Sequence, residues 1–237
     1  MSDGFVEVYQ TGWSPERAAL RVAAMEAAGA VMPNPVGVIL TGDYDDQGEP
    51  IPVQREEVVR RLALQDRESQ YVTWWLGPYD SFSYTVYQVT PEVVLEQFSL
   101  PGSGGVVLTN IPEEQHPVVM ETFQLADGEV ILVGTYDEYR PEVSEEDMIR
   151  FVLNQVDLIE PSVVGLSIDP LGRTHDEFDM GAVVLGGDEA VTFRPRTLLL
   201  LPEVADKHPE LDDWERRPYG RFTAFGSTED LHQRSPA

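Results

Sequence analysis

The densest set of oxygen ligands in the sequence is DYDDQGE, Asp43 to Glu49. Closely spaced carboxylates with a glycine are what a hard cation such as calcium needs. The spacing fails: with Asp43 at the first ligand position, Gln47 stands where the third acid belongs and Gln54 where a bidentate Glu is required. A solvated turn fits better, and no metal or other cofactor is expected. Of the four histidines, His175 alone sits among potential partners, in RTHDEFD with Arg173, Asp176, Glu177 and Asp179. A histidine beside acids has the make-up of a general base, but one local cluster does not supply the convergence that catalysis requires. Arg173, His175 and Asp176 are the first residues to test for an enzymatic role, against the commoner reading of a solvated charged loop. Ser103 in PGSGG lacks the first glycine of a nucleophile elbow, because Pro101 occupies that place. No GxxxxGK[ST] phosphate loop is present, and no GxGxxG opens a helix after a strand. With no cysteine in the chain, disulfides, thiolate catalysis and Cys-based zinc sites are excluded.

Aromatic residues suggest protein contact instead. Trp74, Trp75, Tyr79, Phe82, Tyr84 and Tyr87 crowd two adjacent strand-like runs. Neighbours along a strand face opposite sides, so Trp74 and Trp75 cannot both enter one core layer. An exposed member of the pair, beside Asp80 and the acids of the 43–46 loop, would make a protein-binding surface. The competing reading covers both faces of that strand.

The charge balance excludes more than it assigns. The chain carries 42 acids against 16 bases, a formal −26, and Lys207 is its one lysine. Binders of nucleic acid or anionic membranes are ordinarily basic, so neither is expected as a direct partner. No apolar run approaches the roughly 20 residues that span a bilayer, and MSDGFVEVYQ lacks the build of a signal peptide. The cytoplasm is the expected location. Abundant Arg, Ala, Gly and Val with almost no Lys is the composition of a GC-rich genome, and 24 Glu against 18 Asp lacks the Asp excess of a halophilic surface.

The elements that would position these residues contain an internal echo. VILTGDYDD (Val38 to Asp46) resembles VILVGTYDE (Val130 to Glu138). A Pro-containing connector and a helical pattern follow each, QREEVVRRLALQ (Gln54 to Gln65) and SEEDMIRFVLNQ (Ser144 to Gln155). The β-branched run of each copy suits a buried strand, which Gly42 and Gly134 end. Ser144 is a good N-cap, with Glu145, Glu146 and Asp147 at the positive end of the helix dipole. Met148, Ile149, Val152, Leu153 and Val156 form an apolar stripe, answered more weakly by Val58, Val59, Leu62 and Ala63. Equivalent loops of two related halves would bring Asp43, Tyr44, Asp45 and Asp46 to the same side of the sheet as Tyr136, Asp137 and Glu138. Together with Trp74 and Trp75 these are the candidate binding residues.

Elsewhere, Phe5 to Gln10 alternates like a half-buried strand, and Ser14-Pro15 opens an Ala-rich helix closed by Gly29. Gln70 to Leu76 and Phe82 to Val89 read as a hairpin, Thr90-Pro91-Glu92 as the start of a short helix to about Ser99, and the turn around Asp127-Gly128 as a second hairpin. Ser162 to Ile168 reads as a strand, 208–217 as one or two helical turns, and 219–226 as a last strand. The expected fold is α+β: a mixed, largely antiparallel sheet with about four helices, built from two related strand-turn-helix-strand halves. Residues 1–226 form a single compact domain with the repeat at approximately 36–99 and 129–200, and 227–237 a loose tail.

These readings lead to a non-catalytic acidic binding protein. It would be an inhibitor or immunity-type neutraliser of a basic protein such as a nuclease or toxin, or a mimic of nucleic-acid charge, because acidic surfaces steer basic partners. One alternative is a small hydrolase or transferase whose site is assembled from residues distant in sequence. The other is an acidic cytoplasmic protein with no charge-specific partner. Since the 43–49 loop fails the calcium pattern, millimolar calcium is expected to shift the melting temperature no more than matched ionic strength does; a saturable rise abolished by Asp43→Ala would overturn that reading.

Overall fold

The computed structural model describes residues 4–31, 36–38, 51–53, 55–64, 69–75, 81–100, 107–108, 119–125, 128–133, 144–171 and 180–232. The first half of the chain supplies β1 (Phe5–Thr11), α1 (Pro15–Ala27), β2 (Val36–Val38), β3 (Ile51–Val53), α2 (Arg55–Leu62), β4 (Ser69–Trp75), β5 (Ser81–Gln88), β6 (Val93–Ser99) and β7 (Val107–Leu108). Then come β8 (Val119–Leu125), β9 (Gly128–Val133), α3 (Glu145–Gln155), β10 (Val163–Asp169), α4 (Met180–Val184) and β11 (Thr197–Leu200). The chain continues through α5 (Pro202–Ala205), a 3-10 turn (Pro209–Leu211), β12 (Arg216–Tyr219), β13 (Phe222–Gly226) and α6 (Glu229–His232). The class is α+β, as expected. An eight-stranded sheet, in the order β12-β13-β11-β10-β1-β6-β5-β4, is antiparallel at every pairing. Separate small sheets pair β2 with β3 and place β9 between β7 and β8.

β1 is central, flanked by β6 and β10, so its two faces lie in two cores. Val6 and Val8 turn toward the first, with Leu199 and Ala224; Tyr9 turns to the second, with Leu198, Leu200 and Phe225. The strict alternation of pleated strands produces this division. Over the first face lie the three longest helices among the described residues, through Val22 and Met25 of α1, Val58 and Leu62 of α2, and Met148, Ile149, Val152 and Leu153 of α3. Each such side chain contributes about 1.5–3 kcal/mol by leaving water. Ser14 caps α1 by accepting from the Arg17 N–H at 3.2 Å. Ser144 and Asp147 cap α3 reciprocally. The Trp13 indole donates to the Leu62 carbonyl at 2.8 Å, joining the start of α1 to the end of α2.

The second face is covered over β10, β11 and β13 by α4, α5 and the 3-10 turn, through Val183, Val184, Val204 and Leu211. α4 sits unusually close. A Cβ at Gly165 would fall 2.4 Å from Val184 Cγ1, so only glycine admits this contact.

One charged group crosses the apolar interior. Arg21, on the buried side of α1, donates from Nε to Glu96 Oε1 at 2.7 Å and from Nη2 to Glu96 Oε2 at 3.0 Å. Its Nη1 reaches the Gln155 carbonyl at the end of α3, and the Tyr84 hydroxyl donates to the same carboxylate. Burial opposes charge on Arg21, but Glu96 outweighs it and raises the guanidinium pKa; burial and then Glu96 push the Tyr84 phenol well above its usual range.

At the sheet edge, Gly220 (φ 55°) and Arg221 form a two-residue turn between Tyr219 and Phe222. In this register Tyr219 exchanges hydrogen bonds with Phe222, so the nitrogen of Pro218 faces outward, where an edge strand needs no partner.

Three expectations change. Residues 93–99 are a strand: the Thr90 hydroxyl accepts from the Glu92 and Val93 N–H groups at 3.3 and 3.1 Å, making a tight turn with the same bonds that a helix cap uses. Val94, Glu96 and Phe98 then face one side and Val93, Leu95 and Gln97 the other. The two-halves repeat is not established, since β2 pairs only with three-residue β3 while β9 lies between two strands. Ile39, both acidic loops and the second connector lie outside the described residues, while the first connector contributes β3. What the segments share is a helix followed by a strand of the main sheet, α2 to β4 and α3 to β10, with β4 at an edge and β10 inside. Finally, 227–232 is no loose tail: Leu231 is buried in the first core, and Asp230 lies in an ion pair with Arg196 at 3.0 Å.

Removing one partner of the central pair should be far worse than replacing both. Arg21→Ala or Glu96→Ala is expected to cost about 3–5 kcal/mol in urea unfolding, with much of it regained in Arg21→Met/Glu96→Leu. At the rim, hydrogen bonds from Arg17 and Ser162 hold Glu160 below its ordinary value of 4.5. Its contribution is therefore present above about pH 4.5 and lost as pH falls through the lowered pKa. Glu160→Gln should flatten the acid limb of the stability profile there and leave the neutral region nearly level.

Candidate interaction surface

Most of the sequence-derived candidates lie outside the described residues: Arg173, His175 and Asp176, and likewise Asp43, Tyr44, Asp45, Asp46, Tyr136, Asp137 and Glu138. Trp75 lies in β4, and the surroundings of its side chain are not described. Trp74 requires correction. It is fully buried, stacked on Phe82 at 5.9 Å and edge-on to Tyr84 at 5.6 Å, so it belongs to the core beneath the helices and offers no contact surface.

The described arginines near the C-terminus are all engaged. Arg194 pairs with Asp213, Arg196 with Glu145 and Asp230, Arg216 with Asp206, and Arg217 with Glu215. Arg221 donates to the carbonyls of Glu160 and Pro161 and stacks over Phe222 at 4.9 Å. A shallow cleft of about 420 Å³ lies beside three of them, lined by Pro202, Arg216, Arg217, Pro218 and Arg221. Asp206 and Asp212 pair with Arg216 and Glu215 with Arg217, while Arg221 is taken up by the two backbone carbonyls.

The layer over the second sheet face has a different character. Its inner side is apolar, while its outer side carries Asp188, Glu189, Glu203, Asp206, Asp212, Asp213 and Glu215, all exposed. Asp188, Glu189 and Glu203 stand in no ion pair among the described residues. Local bonds hold this layer in place. Glu210 Oε1 accepts from the Val191 N–H at 2.7 Å and lies 3.0 Å from Nδ1 of the buried His208. Burial works against ionising Glu210, but the Val191 N–H and His208 hold its pKa below the usual carboxylate value. Lys207 Nζ donates to the Gly186 carbonyl at 2.7 Å. Trp214 lies half-buried against Phe225, with the Arg194 guanidinium 5.7 Å above its ring. The sequence signals this layer only through its density of acids between 203 and 215, which overlaps the 208–217 stretch expected to form one or two helical turns.

A second polar feature lies inside. On the sheet face opposite the long helices, Glu7, Gln97 and Ser167 occupy one cross-strand row, all buried, and Gln97 Nε2 donates to Glu7 Oε1 at 2.9 Å. The alternating β1 sequence had marked Glu7 as solvent-facing. No three His, Cys, Asp or Glu side chains lie close enough among the described residues to hold a metal ion. No family model, curated protein or solved structure matches the chain.

Burial separates the two kinds of residue experimentally. Trp74→Ala is expected to destabilise by about 3–5 kcal/mol, whereas Arg216→Ala, at an exposed pair, should change unfolding by less than about 1 kcal/mol. Equal losses in denaturant titrations would contradict the assignment of Trp74 to the core and Arg216 to the surface.

Proposed function

We propose that this chain is a non-catalytic acidic binding protein of the cytoplasm that neutralises a basic protein, as an inhibitor or immunity protein does for a nuclease or toxin, or by mimicking nucleic-acid charge. The observation that carries the reading is an asymmetry of commitment. Every described arginine, and Lys207 with them, is tied to a carboxylate or carbonyl of the chain itself. Exposed carboxylates remain in excess, in a chain of formal charge −26. A surface whose cations are internally occupied presents its negative field outward, and such a field accelerates encounter with a cationic partner. The acids of the loops named from the sequence, Asp45, Asp46, Asp137 and Glu138, would provide steering, with Tyr44 or Tyr136 as buried contact. That no helix of the described residues is long and apolar enough to cross a membrane is compatible with this role.

The test is capture of partners from the native cell, followed by association and dissociation rates at several salt concentrations. A basic partner is expected, with an on-rate that falls steeply with salt. Reversing Asp45, Asp46, Asp137 and Glu138 should slow association much more than it speeds dissociation. Reversing Asp188, Glu189 and Glu203 instead reports whether the layer over the second sheet face shares the contact. Partners that are neutral or acidic, with rates indifferent to salt and to both sets of reversals, would refute the proposal and leave the charge a solubility device.

A further inference from the structure

We draw no further inference here: the strongest candidate, the buried polar row of Glu7, Gln97 and Ser167 with Asp169 two residues along β10 on the sheet face opposite the long helices, carries nothing because Glu7 accepts from Gln97 and Tyr9 and Asp169 from the Leu171 N–H, so these carboxylates are engaged within the chain and nothing in the structure points to a ligand.

Discussion

The ion pair between Arg21 and Glu96 is the constraint on which the rest of this architecture turns. A guanidinium and a carboxylate buried between a helix and a sheet are tolerable only when nearly every donor and acceptor is met. Here the demand is met by three elements at once: β6 supplies the carboxylate, β5 the Tyr84 hydroxyl, and the end of α3 a backbone carbonyl. Apolar packing alone leaves a helix free to slide or rotate on a sheet at small expense. A charge that must find its partner does not, so the pair fixes the register of α1 against the sheet and the approach of α3 to α1. The fixing continues outward through Arg17, which donates to Gln10 at 3.0 Å and pairs with Glu160 at 3.1 Å, next to the strand that follows α3.

Charge is used in two opposed ways. Arg21 with Glu96 inside, and the pairs along the arginine-bearing rims, match opposite charges with the economy of a structural fastening. Outside, the layer formed by α4, α5 and the 3-10 turn leaves carboxylates facing solvent, some in no ion pair among the described residues. Desolvation makes a buried mismatch intolerable, whereas water and counter-ions make a surface mismatch inexpensive. The imbalance of the composition therefore collects where the solvent screens it, and where another molecule would meet it.

Local sequence rules were legible where local physics decides. Ser14-Pro15 and Ser144 mark helix starts because their hydroxyls meet N–H groups within the next turn. The pairings of β4 with β5 and of β8 with β9 follow from their runs of aromatic and β-branched residues. Legibility failed where two structures share a signature or where partners come from afar. Thr90 makes the bonds of a helix cap but closes a strand turn, and the choice is made by β1 and β5 pairing on either side of β6. Glu7 looks solvent-facing by alternation, yet the opposite face of the sheet is also covered. That Trp74 is buried under the helices is a matter of how β4 lies in the sheet, which the Trp-Trp pair alone does not decide. For the site, the acid content was visible, but not that the arginines would be consumed internally, since those pairings join residues as distant as Arg17 and Glu160.

Gly165 sets the height of the acidic layer above the sheet. Val184 rests where any other residue would place its β-carbon, so the separation between α4 and β10 is determined by an absent methyl group. The outward carboxylates ride on the segment that begins with α4, and the contour of the negative potential is in that sense written in the core. A substitution that alters no charge and touches no solvent would lift that contour and reshape the field at the surface.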